Sequence, residues 1–260
     1  MINKKHYQLW AMVLAMGGAA TVGLAGEPSF TGSWKLNLQK SQLTGQSFTI
    51  AAIASGMLHF DSMGFAYDFS TDGKEYSLPD GSTVIVRAPD ATTWDFTFTM
   101  RGKVTMTIHS TLQGDSQTSV MRLNKPDGSV VEQTSTATRV SGGPGFLGKW
   151  KSSEIKGSPT SLVIAMKGKK GVTVEYPEFQ QVCKGQFDGK DHAVTQAGVA
   201  SRIAFAFERS GANAFKMTTK LQGKPIFVDV LTLSADGNTL TDDGNGVSVN
   251  EPVKGVFERQ

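Results

Sequence analysis

A six-residue pattern occurs twice in this chain of 260 residues. FTGSWK occupies residues 30–35 and FLGKWK occupies residues 146–151, an offset of 146 − 30 = 116 residues. The Asp-Gly-Lys triplets at 72–74 and 188–190 repeat with the same offset. A long internal repeat of this kind predicts two copies of one structural unit. This duplication constrains the fold more than any other feature of the sequence.

The boundaries of the two copies follow from local composition. Residues 141–145 read SGGPG, and such glycine and proline punctuation is typical of a linker. We therefore predict a first domain over residues 26–140 and a second over residues 146–260. Each copy has an arginine at its next-to-last residue, Arg139 in the first and Arg259 in the second.

Each copy has the alternating pattern of β-strands. In residues 104–112, Val104, Met106, Ile108 and Leu112 share one face, while His109 and the threonines share the other. Turn sequences such as TDGK, LPDGS, KPDG and ADGN recur at short intervals and indicate tight hairpins. Because closing a long meander removes its exposed edges, we predict an all-β protein with two consecutive antiparallel up-and-down barrels.

The repeated hexads resemble the Gly-x-Trp signature of lipocalins and related calycin barrels. The motif falls at 32–34 and 148–150, so the tryptophans are Trp34 and Trp150. The resemblance implies that each tryptophan lies across the blind end of a barrel and that an arginine from the last strand packs on its ring. Within each copy this pairs Trp34 with Arg139 and Trp150 with Arg259. The resemblance also implies a cavity for a small molecule.

The N-terminal residues 1–25 have the order of a secretory signal peptide. Lys4 and Lys5 precede an apolar run, and Gly23 and Ala25 occupy the positions of small residues before a cut. The alternative is a membrane anchor, but Gly17 and Gly18 interrupt the run. We therefore expect cleavage, a secreted or periplasmic protein, and no stable membrane span after cleavage.

Charge and cysteine content narrow the function classes. Removing the two N-terminal lysines changes the formal net charge from +3 to +1, and no basic stripe favours nucleic acid. Cys183 is the single cysteine, so a disulfide within the chain is impossible and a catalytic thiol is not favoured. His59 and Asp61 could hold part of a metal site, but nothing completes the set, and we predict no metal and no cofactor.

Three functions remain open. The first is non-catalytic binding of a small apolar or amphipathic ligand in a barrel cavity. The second is a structural or protein-interaction module with side-chain-filled barrels, and the third, least favoured, is an enzyme at a barrel mouth. No catalytic residue can be chosen, and a protein partner cannot be named. The candidate ligand-binding residues are His59, Tyr67, Phe96, Phe98, His109, Phe205 and Phe207.

Overall fold

The computed structural model describes residues 29–260, which form an all-β fold. The predicted signal peptide lies outside the described residues. Two short 3-10 turns, Ala54–Gly56 and Pro177–Phe179, interrupt the strands. The first eleven strands are β1 Gly32–Leu36, β2 Ser47–Ala52, β3 Leu58–Ser62, β4 Phe65–Phe69, β5 Asp72–Ser77, β6 Thr83–Asp90, β7 Thr93–Met100, β8 Lys103–Gln113, β9 Ser116–Asn124, β10 Val130–Ser141 and β11 Gly148–Gly157.

Nine further strands complete the chain. They are β12 Ser161–Lys167, β13 Gly171–Tyr176, β14 Gln181–Gln186, β15 Asp191–Gln196, β16 Val199–Arg209, β17 Ala214–Leu221, β18 Lys224–Leu233, β19 Thr239–Gly246 and β20 Val253–Arg259. All pairings between them are antiparallel, and each sheet contains ten strands. The predicted fold class is therefore confirmed.

The two sheets differ in closure. One is a closed barrel in which β1 pairs with β12 on one side and with β20 on the other. The second has the order β4-β3-β2-β11-β10-β9-β8-β7-β6-β5, and its end strands β4 and β5 are not hydrogen-bonded to each other. We call the first the closed barrel (β1 and β12–β20) and the second the open barrel (β2–β11).

The first strand of each sequence copy lies in the other copy's barrel. Strand β1 belongs to the closed barrel, while β11, which carries the second hexad, pairs with β10 and β2 of the open barrel. The open barrel is therefore one continuous segment inserted between β1 and β12 of the closed barrel. The sheets do not coincide with the predicted ranges 26–140 and 146–260, since each range contributes one strand to the opposite barrel.

Asp-Gly turns close several hairpins as the sequence predicts. In the β9–β10 turn, the Asp127 carboxylate accepts hydrogen bonds from the backbone N–H and the hydroxyl of Ser129. Gly128 between them has φ +83°, a conformation that favours glycine. The side chain of the aspartate thus fixes the turn, and the glycine supplies its backbone geometry.

One predicted strand face is wrong at its first residue. The register between β7 and β8 shifts after Phe98. Phe98 pairs with Met106 and Thr99 pairs with Val104, so Thr105 of β8 has no partner in β7. A bulge of this kind turns the bulged strand locally. As a result Val104 is exposed and Thr105 is buried, whereas Met106 stays on the same face as Ile108 and lines the cavity.

The two barrels touch each other directly. The Arg202 backbone N–H donates to the Asp80 carbonyl at 2.9 Å, and the Gln222 amide donates to the Pro79 carbonyl at the same distance. The Ser47 backbone N–H donates to the Glu251 carboxylate at 2.6 Å. Among residues 29–260, no helix is long and apolar enough to cross a membrane.

Candidate functional site: a cavity in the open barrel

The open barrel contains a cavity of about 330 Å³ that is partly open to solvent. This volume lies at the lower end of the range for small-molecule sites. Most of its lining is aromatic or aliphatic. The apolar lining residues are Phe48, Ile50, Phe60, Phe65, Tyr67, Phe69, Phe96, Phe98, Met106 and Ile108.

Strand alternation places most of the aromatic lining residues on the wall formed by β2–β4, while Phe96 and Phe98 lie on β7 beside β8. In β4, Phe65, Tyr67 and Phe69 point inward, while Asp68 lies on the outer face. Phe60 of β3 pairs with Tyr67, and their ring centroids are 5.1 Å apart. This tilted aromatic contact fixes the two side chains against each other.

The opposite wall carries uncharged polar groups. The Ser110 and Ser119 hydroxyl oxygens are 2.8 Å apart, across the β8–β9 pair. The Gln117 amide donates to the Ser119 hydroxyl at 3.2 Å, and the Gln117 side-chain oxygen is buried without a hydrogen-bond partner. Ser135 of β10 adds to this polar wall, whereas Ser62 lies on β3 and pairs with Phe65 of the aromatic wall. This wall offers hydrogen bonds but no charge.

Tyr67 keeps its proton in this environment. Burial raises the pKa of the Tyr67 phenol, and the negative charge of Asp80 raises it further. Asp80 is itself held by hydrogen bonds from the Ser82 backbone N–H and hydroxyl. Tyr67 is therefore neutral at physiological pH and contributes no charge to the cavity.

The blind end of the open barrel is closed by aromatic rings and an arginine. Trp150 is fully buried and donates through its indole N–H to the Phe146 carbonyl at 3.0 Å. The Arg139 guanidinium carbon lies 4.2 Å from the centroid of the Trp150 ring. Phe146 stacks on Trp94 with centroids 4.3 Å apart. The Arg139 guanidinium also donates to the Gly145 carbonyl at 2.6 Å.

The closed barrel repeats this arrangement with its own residues. Trp34 donates to the Phe30 carbonyl at 3.0 Å, and the Arg259 guanidinium carbon lies 4.2 Å from the Trp34 ring centroid. The predicted pairs, Trp34 with Arg139 and Trp150 with Arg259, are therefore wrong. Each of these tryptophans does pack against one of these arginines, as the resemblance implied. However, β1 and β11 each lie in the barrel of the other sequence copy, so each tryptophan contacts the arginine of the other copy.

The interior of the closed barrel is filled by side chains. Phe205 and Phe207 are buried there, where Phe207 contacts Phe215 with ring centroids 6.4 Å apart. Trp34, Leu162 and other apolar residues belong to the same packed cluster. Phe205 and Phe207, proposed from sequence as ligand-binding residues, thus serve as core in this barrel.

An acidic pair lies within this filled interior. Asp229 is buried on the inward face of β18, and Asp242 lies on the neighbouring strand β19 with its carboxyl hydrogen-bonded to that of Asp229. Burial raises the pKa of Asp229 well above its ordinary value, and the charge of Asp242 raises it further. Burial also raises the pKa of Asp242, to about 7. Tyr176 faces both carboxyls, and burial raises its pKa as well.

Both histidines proposed as ligand contacts lie outside the cavity. The His59 ring nitrogen is 2.6 Å from an Asp68 carboxylate oxygen, and His109 is 2.7 Å from Asp95. Both side chains are partly exposed on outer faces of their strands. Asp61 is exposed and does not join His59. Within residues 29–260, no group of three or more His, Cys, Asp or Glu side chains could hold a metal ion.

Cys183 belongs to the core of the closed barrel. It is fully buried, and burial raises the pKa of its thiol to about 11. A thiol with this pKa is almost entirely protonated at neutral pH and is a poor nucleophile.

A second, smaller cavity lies between the two barrels. It measures about 140 Å³ and shares Phe65, Phe98 and Met106 with the lining of the larger cavity. Phe179 and Gln196 of the closed barrel line its far side. The closed barrel therefore covers the end of the open barrel opposite to Trp150.

Three of the fifteen cavity-lining residues, Tyr67, Phe96 and Phe98, were among the candidate ligand-binding residues named from the sequence. The other twelve, including all five polar ones, were not. Ser110, Ser119 and Gln117 were missed because serine and glutamine are common on exposed strand faces. The one sequence signal that could have identified Ser110 is strand alternation, which places it on the same face of β8 as Met106 and Ile108.

Comparison with protein-family models, with curated proteins and with solved structures gives no match for this chain.

Proposed function

We propose that this protein is a non-catalytic carrier with lipocalin-like barrels, which binds one small apolar or amphipathic molecule in the open barrel. The observation that carries the proposal is the difference between the two interiors. The open barrel keeps a cavity of about 330 Å³ with an aromatic wall, whereas the corresponding space of the closed barrel is occupied by side chains. Replacing water with an apolar ligand in an apolar cavity of this size is favourable.

The gap between β4 and β5 supports the same proposal. A ligand needs an entry path, and these two strands are the one place where neighbouring strands of the open barrel lack a hydrogen-bonded ladder. Separating them costs no ladder hydrogen bonds, and β4 lines the cavity with Phe65, Tyr67 and Phe69, so we propose that the ligand enters beside β4.

For the closed barrel we propose a structural role. Its packed core and its contacts with Asp80 and Pro79 suit a support that holds the open barrel and covers one end of it. This assigns carrier and structural functions to different barrels of one molecule.

The proposal is tested by blocking the cavity. Ser135 lies on the inner face of β10, so Ser135→Phe places a ring inside the cavity, while Thr134→Phe places the same ring on the outer face of that strand. We expect the neutral fluorescent probe N-phenylnaphthylamine to bind the unsubstituted protein and Thr134→Phe. For Ser135→Phe we expect binding at least about tenfold weaker, because the ring occupies ligand space.

Native mass spectrometry of protein purified from its own host, with solvent extraction, should show one small molecule per chain. A bare mass together with failure to bind the probe would contradict the carrier function and favour the structural module for both barrels.

We also propose export to the periplasm or the cell exterior, with cleavage before Gly26. The basis is the order of charged, apolar and small residues in residues 1–25. N-terminal sequencing of the protein from its host should begin at Gly26, and an intact Met1 would contradict cleavage.

A further inference from the structure

The polar wall of the cavity determines what kind of ligand end group the protein can accept. Ser110, Ser119 and Gln117 lie on the adjacent strands β8 and β9 and form one hydrogen-bonded cluster. Ser110 and Gln117 are more than nine-tenths buried. These side chains are therefore largely shielded from solvent, and their hydrogen bonds hold them in place beside the cavity.

The lining carries no charge to match a charged ligand. None of the cavity-lining residues, all within the described part of the chain, is Lys, Arg, His, Asp or Glu. Moving a carboxylate or an ammonium group into such a site costs several kcal/mol unless an opposite charge meets it. A fatty carboxylate is therefore a poor fit, although its alkyl chain suits the aromatic wall.

One hydrogen-bonding position in the cluster is unfilled. The Gln117 side-chain oxygen has no donor, although its amide N–H₂ is used by Ser119. A buried acceptor without a donor costs roughly 1–3 kcal/mol. The terminal torsion of a glutamine is soft, so a small turn of the amide presents this oxygen to a ligand.

We propose that the cavity selects an apolar molecule that carries one uncharged hydroxyl group, and that Gln117 accepts its hydrogen bond. A hydroxyl both donates and accepts, so it can satisfy Gln117 while bonding the neighbouring serines. The inference deepens the proposed carrier function and rests on it.

The test compares three molecules with the same alkyl chain as competitors of N-phenylnaphthylamine. Decanol donates a hydrogen bond, decyl methyl ether does not, and decanoate is charged at neutral pH. We expect decanol to compete best and decanoate worst. In Gln117→Met, which keeps the side-chain length without the amide, we expect the preference for decanol over the ether to fall about tenfold.

The outcomes separate the two proposals. Equal competition by decanol and the ether, or strongest competition by decanoate, overturns the hydroxyl inference and leaves the carrier function intact. Failure of the probe to bind overturns the carrier function itself. The ranking in the unsubstituted protein decides the inference even if Gln117→Met does not fold, and Ser119→Ala provides a second, smaller perturbation of the same cluster.

Discussion

At the scale of single residues, the repeated motif is explained by the arginine that covers it. A Cβ atom at Gly32 would lie 2.4 Å from a guanidinium nitrogen of Arg259, closer than any real contact. Gly148 has φ +136°, and a Cβ there would lie 2.3 Å from the Ser141 carbonyl oxygen. Glycine is therefore required at Gly148, where the chain meets the Ser141 backbone, and a side chain at Gly32 would displace the Arg259 guanidinium from its position. The tryptophan two positions later supplies the surface on which the arginine packs.

The acidic pair in the closed barrel predicts an unusual pH dependence of stability. The carboxyls of Asp229 and Asp242 have raised pKa values in the folded protein, whereas an unfolded aspartate titrates near 4. As pH rises above about 4, the unfolded chain releases protons that the folded protein keeps. The free energy of unfolding therefore falls as pH rises from about 4 through 7, because of this pair.

We expect Asp229→Asn to reduce that loss. Urea denaturation at pH 5 and pH 8 should show that the unsubstituted protein loses roughly 1–3 kcal/mol more than the variant over this interval. All other titratable groups are common to both proteins, so the difference reports on Asp229 together with its interaction with Asp242. Glu154→Gln, in an exposed ion pair with Lys156, is the control and should leave the pH dependence unchanged. A pH dependence that is the same in Asp229→Asn and the unsubstituted protein would contradict the raised pKa.

At the scale of elements, the exchange of β1 and β11 has an energetic signature. In the structure Trp34 contacts Arg259 and not Arg139, because β1 lies beside β20. A double-mutant cycle with Trp34→Phe and Arg259→Lys should give a coupling of about 0.5–2 kcal/mol. The matched cycle of Trp34→Phe with Arg139→Lys should give a coupling near zero.

Urea denaturation measures both cycles, and each provides the control for the other. Coupling of Trp34 to Arg139 in place of Arg259 would mean that each sequence copy forms its own barrel. Such a result would reject the exchanged arrangement of β1 and β11.

The exchange also marks the limit of what the sequence predicts. Alternation along residues 104–112, the Asp-Gly turns and the duplication were sufficient to predict two antiparallel barrels, and the candidate list included Tyr67, Phe96 and Phe98, which line the cavity. The sequence could not assign β1 and β11, because both hexads have the same pattern and either strand fits either barrel. It also could not tell a filled interior from one that keeps a cavity, since Phe205 and Phe96 look alike in sequence and differ only in what packs opposite them.

At the scale of the whole molecule, the open barrel is a contiguous insertion and the closed barrel is not. We expect a fragment of residues 46–158 to fold alone, because it contains all ten strands of one sheet and its aromatic core. A fragment of residues 26–140 should not fold, because it lacks β11 with Trp150 and carries β1 without partners. Near-ultraviolet circular dichroism and urea denaturation of the two fragments measure the difference.

A cooperative transition for residues 26–140, or none for residues 46–158, would contradict the insertion. The contact surface around Asp80 and Pro79 becomes exposed in the isolated open barrel. Its stability is therefore expected to be lower than in the full chain, without loss of the fold.

The nested arrangement also sets the order in which the protein can be built during its synthesis. Strand β1 leaves the ribosome before the other described strands, but its neighbours β12 and β20 follow only after the whole open barrel. The open barrel can therefore close while β1, with Trp34 and Leu36, still has both edges unpaired. An unpaired apolar strand is an aggregation hazard. Slow or interrupted translation after β11 therefore prolongs the time for which Trp34 and Leu36 lack the strands that bury them.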